Sequence, residues 1–152
     1  MDKGGQGEKP IIVIDASVAA KWVLPEEPLQ EEARALEEKI VFGEVKAYAP
    51  DLFSYEIASV MLKAMGKGVL KIEDGVEALN AIGELGIHIH VADWNDQAEI
   101  LKIAAATKLT IYDAAYLQLS SKINGKLVTA DSKLKKKGES VTAILLLKEL
   151  KI

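Results

Sequence analysis

The 152-residue chain carries a formal net charge of −4 and no cysteine, which excludes disulfides, thiolate metal sites and a cysteine nucleophile. Hydrophobic residues make up 49% of it, enough for one domain with a buried core and too many for a disordered chain. The acidic balance argues against a general nucleic-acid coat, but not against an enzyme that gathers acids inside a rim of lysines.

The polar, glycine-rich residues 1–9 read as a flexible leader, followed by a single domain over residues 10–152. No apolar run approaches the roughly 20 residues that span a bilayer, so no membrane association is expected. With no signal-like segment and no cysteine, the expected location is the cytoplasm. Residues 11–15, Ile-Ile-Val-Ile-Asp, form an apolar, β-branched run that reads as a buried strand. A short helix follows over 16–24, ended by Pro25. A second covers 28–41, where apolar residues recur at helical spacing among glutamates. Residues 46–49 form a short strand, and Pro50 then opens a strong helix over 52–65, stopped by Gly66 and Gly68. Residues 72–85 are a helix ended by Gly86, and the alternating residues 87–91 are a strand. Helices over 94–107 and 111–122 lead to a turn at Asn124-Gly125. Residues 126–130 are a strand, 131–136 a short helical turn, and 141–147 a last strand, with a helix as the alternative there. Strands alternating with helices predict an α/β fold, a three-layer α/β/α sandwich around a mostly parallel sheet.

Open α/β sheets build their sites at the carboxyl ends of strands, and four acids fall where they could meet there. Asp15 closes the first strand, Asp131 follows the strand over 126–130, Asp113 lies in the first turn of a helix, and Glu56 sits on the helix after a strand. Three of them have a plain alternative. Asp15 and Asp131 each stand where a helix N-cap is wanted, and Thr110 to Asp113 has capping-box spacing. Glu56 differs, because it interrupts the apolar stripe formed by Leu52, Val60 and Ala64. A carboxylate buried there needs a partner. No basic residue stands three or four positions on; Lys63, seven positions on, is one candidate and a bound cation the other. Clustered carboxylates repel and bind protons more tightly unless a cation neutralises them. Hard divalent ions take such oxygens, keep waters, and can acidify a water and hold a phosphate.

Four segments carry a family resemblance: VIDASVAAKW with Asp15 and Ser17, APDLFSYEIASVMLKA with Glu56, LTIYDAAYLQLS with Asp113, and LVTADSKL with Thr129 and Asp131. In their order and spacing, from about residue 11 to about residue 145, they resemble the PIN-domain family and within it the VapC-type toxin ribonucleases. The resemblance implies a sandwich with a parallel sheet and hydrolysis of RNA phosphodiester bonds with Mg²⁺ or Mn²⁺. It also implies a homodimer and neutralisation by a small VapB-like antitoxin. Asp15, Glu56 and Asp113 would hold the principal metal, and Asp131 would complete the site. Ser17 and Thr129 would support the acids by hydrogen bonds. Ser132 departs from the pattern, standing where many relatives carry a charge.

Other features have plainer explanations. Lys133, Lys135, Lys136 and Lys137 could guide RNA or form a solvated run; Lys21 and Lys63 raise the same question. His88 and His90 share a strand face but make an incomplete zinc site. Trp22, Phe53, Tyr55 and Tyr116 could stack on bases, although core or dimer packing explains them better. The apolar helices over 52–65 and 69–85 could offer a groove to the antitoxin. The same residues suit a housekeeping PIN nuclease of RNA maturation, or a non-catalytic PIN-like RNA-binding protein that binds no metal. A phosphohydrolase using Asp15 as nucleophile fits less well, because no second acid stands two residues on and no glycine-rich phosphate loop is present.

Overall fold

The structure, a computed structural model, describes residues 8–151; the expected leader lies outside the described residues through Gly7. Five strands form one sheet: β1 Ile11–Ile14, β2 Lys46–Pro50, β3 His88–His90, β4 Lys126–Thr129 and β5 Ala143–Leu146. Every pairing is parallel, in the order β3-β2-β1-β4-β5. The helices are α1 Ala16–Val23, α2 Gln30–Val41, α3 Leu52–Gly66, α4 Ile72–Gly83, α5 Trp94–Thr107, α6 Ile111–Lys122 and α7 Ser132–Gly138. The chain steps outward from β1 to β3 and then crosses back to lay β4 on the other side of β1. Right-handed crossovers in opposite directions place α1–α4 on one face and α5–α7 on the other. The result is the expected three-layer sandwich, with the sheet parallel throughout.

β1 is the central strand, and Val13 and Ile14 are wholly buried. Burial on both faces explains why its run is apolar without alternation. α6 is buried over seven consecutive residues, Ala114 to Ser120, which is the mark of a helix enclosed on all sides rather than laid on a surface. Both elements therefore hold rigidly whatever is attached to their ends.

Several boundaries differ from the sequence expectation. Pro50 ends β2 instead of opening a helix. It pairs in register with His90, and the next N–H, of Asp51, donates to the His90 carbonyl at 3.1 Å. A proline is tolerated there because the ladder needs nothing from its nitrogen. α2 starts at Gln30, not at residue 28, because Leu29 has φ of 60° and a left-handed residue cannot continue a right-handed helix. α4 stops at Gly83. The last segment is the strand β5, followed by a 3-10 turn over Leu147–Glu149.

α5 and α6 are tied together by a buried charge. Asp96, only 4% exposed, sits in the first turn of α5 and forms a reciprocal capping box with Asp93. Its Oδ1 accepts from Gln118 Nε2 at 2.9 Å and Lys122 Nζ at 2.8 Å, both on α6. Its Oδ2 accepts from Asp93 N at 3.0 Å and lies 3.1 Å from His90 Nε2. The Lys122 contact first, then the Asp93 N–H, hold this carboxyl far below the usual carboxylate range against the effect of burial, with His90 and Gln118 adding to them. A carboxyl depressed in the folded chain contributes stability above its unfolded pKa, near 4, and that contribution is lost as the pH falls further. Asp96→Asn should therefore lower stability at neutral pH by about 2 kcal/mol. It should also flatten the acid-side loss of stability that the wild type shows below about pH 4. Urea denaturation of both proteins across that range measures the two effects; parallel acid slopes would show that Asp96 is not the linked group.

Candidate functional site

The return crossover leaves a crevice between β1 and β4, at the carboxyl edge of the sheet where open α/β folds place their ligands. Register sets its floor. Ile14 pairs with Val128, and the Asp15 N–H continues the ladder to the Val128 carbonyl at 3.0 Å, so Asp15 stands beside Thr129. Asp15 Oδ2 accepts from Ser17 Oγ at 2.6 Å and from Thr129 Oγ1 at 2.7 Å. Ser17 Oγ also takes the Ala130 N–H at 3.1 Å, and Thr129 Oγ1 takes the Asp131 N–H at 3.1 Å. The side chain of Asp15 makes no cap bond to α1; the capping alternative is replaced by this hydroxyl cradle. Among the described residues no donor reaches Asp15 Oδ1.

Glu56 enters from α3. Among the described residues its partner is not Lys63 but the Tyr116 hydroxyl, which donates to Oε1 at 2.7 Å from one turn inside α6. Burial first, then the negative charge of Asp15 and the bond to Glu56, push the Tyr116 phenol far above its usual range, so it remains a donor. Asp113 opens α6, with its N–H on the Thr110 hydroxyl at 3.1 Å. Asp131 does cap its helix: Oδ1 accepts from Lys133 N at 2.9 Å and Leu134 N at 3.3 Å. That leaves its second oxygen outside the cap.

Asp15, Glu56, Asp113 and Asp131 line one pocket of about 460 Å³, with Ser17 also in its wall. Burial raises the carboxyl of Asp15 most, against the pull of Ser17 and Thr129, and the charges of Asp113 and Asp131 raise it further. Glu56 is raised by burial, eased by Tyr116, and raised again by Asp15 and Asp113. Asp113 is raised by burial and by Asp131, and eased by Thr110 and Lys133. Asp15, Glu56 and Asp113 are thus each harder to ionise than an ordinary carboxyl, in part because of the neighbouring acids. Among the described residues no three His, Asp or Glu side chains close round a point as a ready-made metal cage. The donor set is nevertheless all carboxylate oxygen around an open volume, which fits a hard ion that keeps several of its waters.

Of the lysines weighed from sequence, Lys133 lowers the carboxyl of Asp113. Lys135 is paired with Glu149 at 3.0 Å and Lys21 with Glu27 at 3.6 Å, while Lys63 lines a separate cavity beside Pro25. His88 stacks on Tyr48 at a centroid distance of 4.9 Å, and His90 serves Asp96. Trp22, Phe53 and Tyr116 are core residues, but Tyr55 stands 78% exposed in the pocket wall. Tyr112, 64% exposed in the same wall, was not singled out from sequence; its place directly before Asp113 is the one signal that pointed to it. Asp96 was also missed, although Asp93 and Asp96 have capping-box spacing.

The PIN domain family profile matches residues 12–140. Ribonuclease VapC3 of Pyrobaculum aerophilum is 37% identical over 130 residues, covering 83% of this chain and 93% of that protein. Among solved structures, PAE2754 from Pyrobaculum aerophilum superposes with a TM-score of 0.68 at 22% identity, over 91% of this chain and 85% of that one. VapBC2 from Rickettsia felis, bound to a DNA fragment from their promoter, gives 0.69 at 11% identity, over 90% and 98%. FitAcB from Neisseria gonorrhoeae gives 0.67 at 13%, over 91% and 99%. At these identities the structural likenesses establish the fold.

Carboxyls that are raised in the folded chain lose stability as the pH climbs from their unfolded values through their folded ones. At neutral pH, without a divalent ion, Asp15, Glu56 and Asp113 are therefore expected to lower the stability of the protein. Asp113→Asn, which removes one of the repelling charges, is expected to raise the thermal midpoint by about 2–5 °C. Added Mn²⁺ should raise the wild-type midpoint and shift that of the variant less. Differential scanning calorimetry measures both; a variant less stable than wild type at pH 7 would mean that the charges are not in conflict.

Proposed function

The chain belongs to the PIN-domain family, and on that premise we propose that it is a VapC-type endoribonuclease. It hydrolyses RNA phosphodiester bonds with Mg²⁺ or Mn²⁺ at the pocket of Asp15, Glu56, Asp113 and Asp131. One observation carries the reading: four acids from distant parts of the chain line a single pocket in mutual repulsion, with no lysine or arginine paired to any of them among the described residues. Such an arrangement is stable only with an external cation or protons, and acid clusters of this kind belong to functional sites. The 37% identity to a protein named Ribonuclease VapC3 supports the substrate class.

A divalent ion held in the pocket would supply Lewis acidity toward the scissile phosphate and lower the pKa of a water. The chain's own groups do the rest. Ser17 and Thr129 hold Asp15 Oδ2 and leave Oδ1 for the ion. Asp113 and Asp131 face the same volume from α6 and from the end of β4. Lys133 is the cation placed to meet an incoming phosphate, and the exposed rings of Tyr55 and Tyr112 offer stacking surfaces to unpaired bases.

The proposal extends to biological role. The chain would be the toxin of a VapBC-type pair, acting as a homodimer and held inactive by a small antitoxin. The likeness to structures titled VapBC2 and FitAcB supports this. So do the exposed apolar side chains of α3, α4 and the loop between them, where Leu62, Val69, Ile72 and Val76 are all at least half exposed. The chain's proposed location is the cytoplasm; among the described residues no helix is long and apolar enough to cross a membrane.

Purified protein incubated with structured and single-stranded RNAs in Mg²⁺, Mn²⁺ or EDTA tests the chemistry. Cleavage should require the metal. In Asp15→Asn and Asp113→Asn it should fall by more than the roughly 100-fold that loss of a supporting hydrogen bond produces. Cleavage that persists in EDTA, or in both variants, would sink the assignment.

A further inference from the structure

We propose that Tyr116 is a positioning residue for Glu56, its hydroxyl holding one carboxylate oxygen so that the other is presented to the ion of the acid pocket. The inference rests on the metal reading above and deepens it. The hydroxyl donates to Glu56 Oε1 at 2.7 Å, and among the described residues no donor reaches Oε2. The Tyr116 ring is 1% exposed, locked in the core on the enclosed helix α6. Its oxygen is thus a fixed point, whereas Glu56 sits on α3 with a long side chain that is only partly buried. Without a tether that side chain would sample several rotamers, and binding an ion would have to fix it.

The same device recurs across the pocket. Asp15 has Oδ2 tied back by Ser17 and Thr129 while Oδ1 is left free. Asp15 and Glu56 therefore each have one oxygen anchored to a hydroxyl of the scaffold and one available. Supporting donors of this kind orient a ligand, and their loss weakens metal binding about 10- to 100-fold. A buried tyrosine also needs a hydroxyl partner for its own sake, and the experiment separates that role from positioning.

Full-length wild type, Tyr116→Phe, Glu56→Gln and the double variant would be titrated with Mn²⁺ alone, following the free-ion signal by electron paramagnetic resonance, with circular dichroism as the check on folding. Tyr116→Phe keeps the ring and removes one atom. It is expected to weaken Mn²⁺ binding about tenfold with an unchanged fold, and to have no further effect when Glu56 is already Gln. Wild-type affinity in Tyr116→Phe would overturn the inference, as would an equal loss in the Glu56→Gln background. If the variant fails to fold, a structure of Mn²⁺-loaded wild type decides. Metal on Oε2 with Oε1 still on Tyr116 is the expected arrangement, and metal on Oε1 with the hydroxyl released overturns it. Wild type that takes up no Mn²⁺ would overturn the metal reading itself, and this inference with it.

Discussion

Asp15 ends the central strand of the sheet with its carboxylate buried and accepting from two hydroxyls. A charge so placed is expensive, and the architecture around it follows from holding it there. The carboxylate lies where the crossover back to β4 opens a crevice, so it is buried from below but approachable from above. Ser17 and Thr129 satisfy one oxygen without neutralising it. On the proposed function, this arrangement leaves Asp15 Oδ1 for a metal ion.

Two buried aspartates make the contrast plain. Asp96 has four donors, among them a lysine, and its carboxyl is depressed. Asp15 has two hydroxyls and two neighbouring acids, and its carboxyl is raised. The first joins α5 to α6 and contributes to stability; the second detracts from it. The two are coupled through α6, because the helix that Asp96 anchors through Gln118 and Lys122 also carries Asp113 and Tyr116. A charge satisfied in one place thus helps to hold less satisfied charges in another.

The sheet and most helices were legible in the sequence because they depend on local periodicity. The apolar run of β1, the alternation at β3 and the helical spacing of α2 and α3 needed no tertiary knowledge. Misplaced boundaries came from backbone conformations that composition does not announce, as at Leu29, or from a proline whose strand partner was unknown, as at Pro50. The positions of the four acids at element ends could be read, but not their convergence, since strand order is not written locally. Glu56 was recognisable as an acid in need of a partner. That the partner is a tyrosine sixty positions away was not, because the sequence reading looked for charge complements nearby. Asp96 escaped for the same reason: its donors lie on α6 and at the end of β3.

Register is what joins these levels. Side chains alternate along a strand, so a slip of one residue between β1 and β4 would turn Thr129 away from Asp15. It would also carry off Asp131, whose N–H rests on the Thr129 hydroxyl. The apolar side chains of β1 and β4, buried against helices on both faces, oppose such a slip. The same hydrophobic packing that makes the sheet fold therefore aligns Ser17, Thr129 and Asp15 to within hydrogen-bonding distance. No separate device sets the floor of the pocket: it is the continuation of the β1–β4 ladder, one residue beyond the last paired strand residue of β1, where backbone pairing gives way to side-chain chemistry.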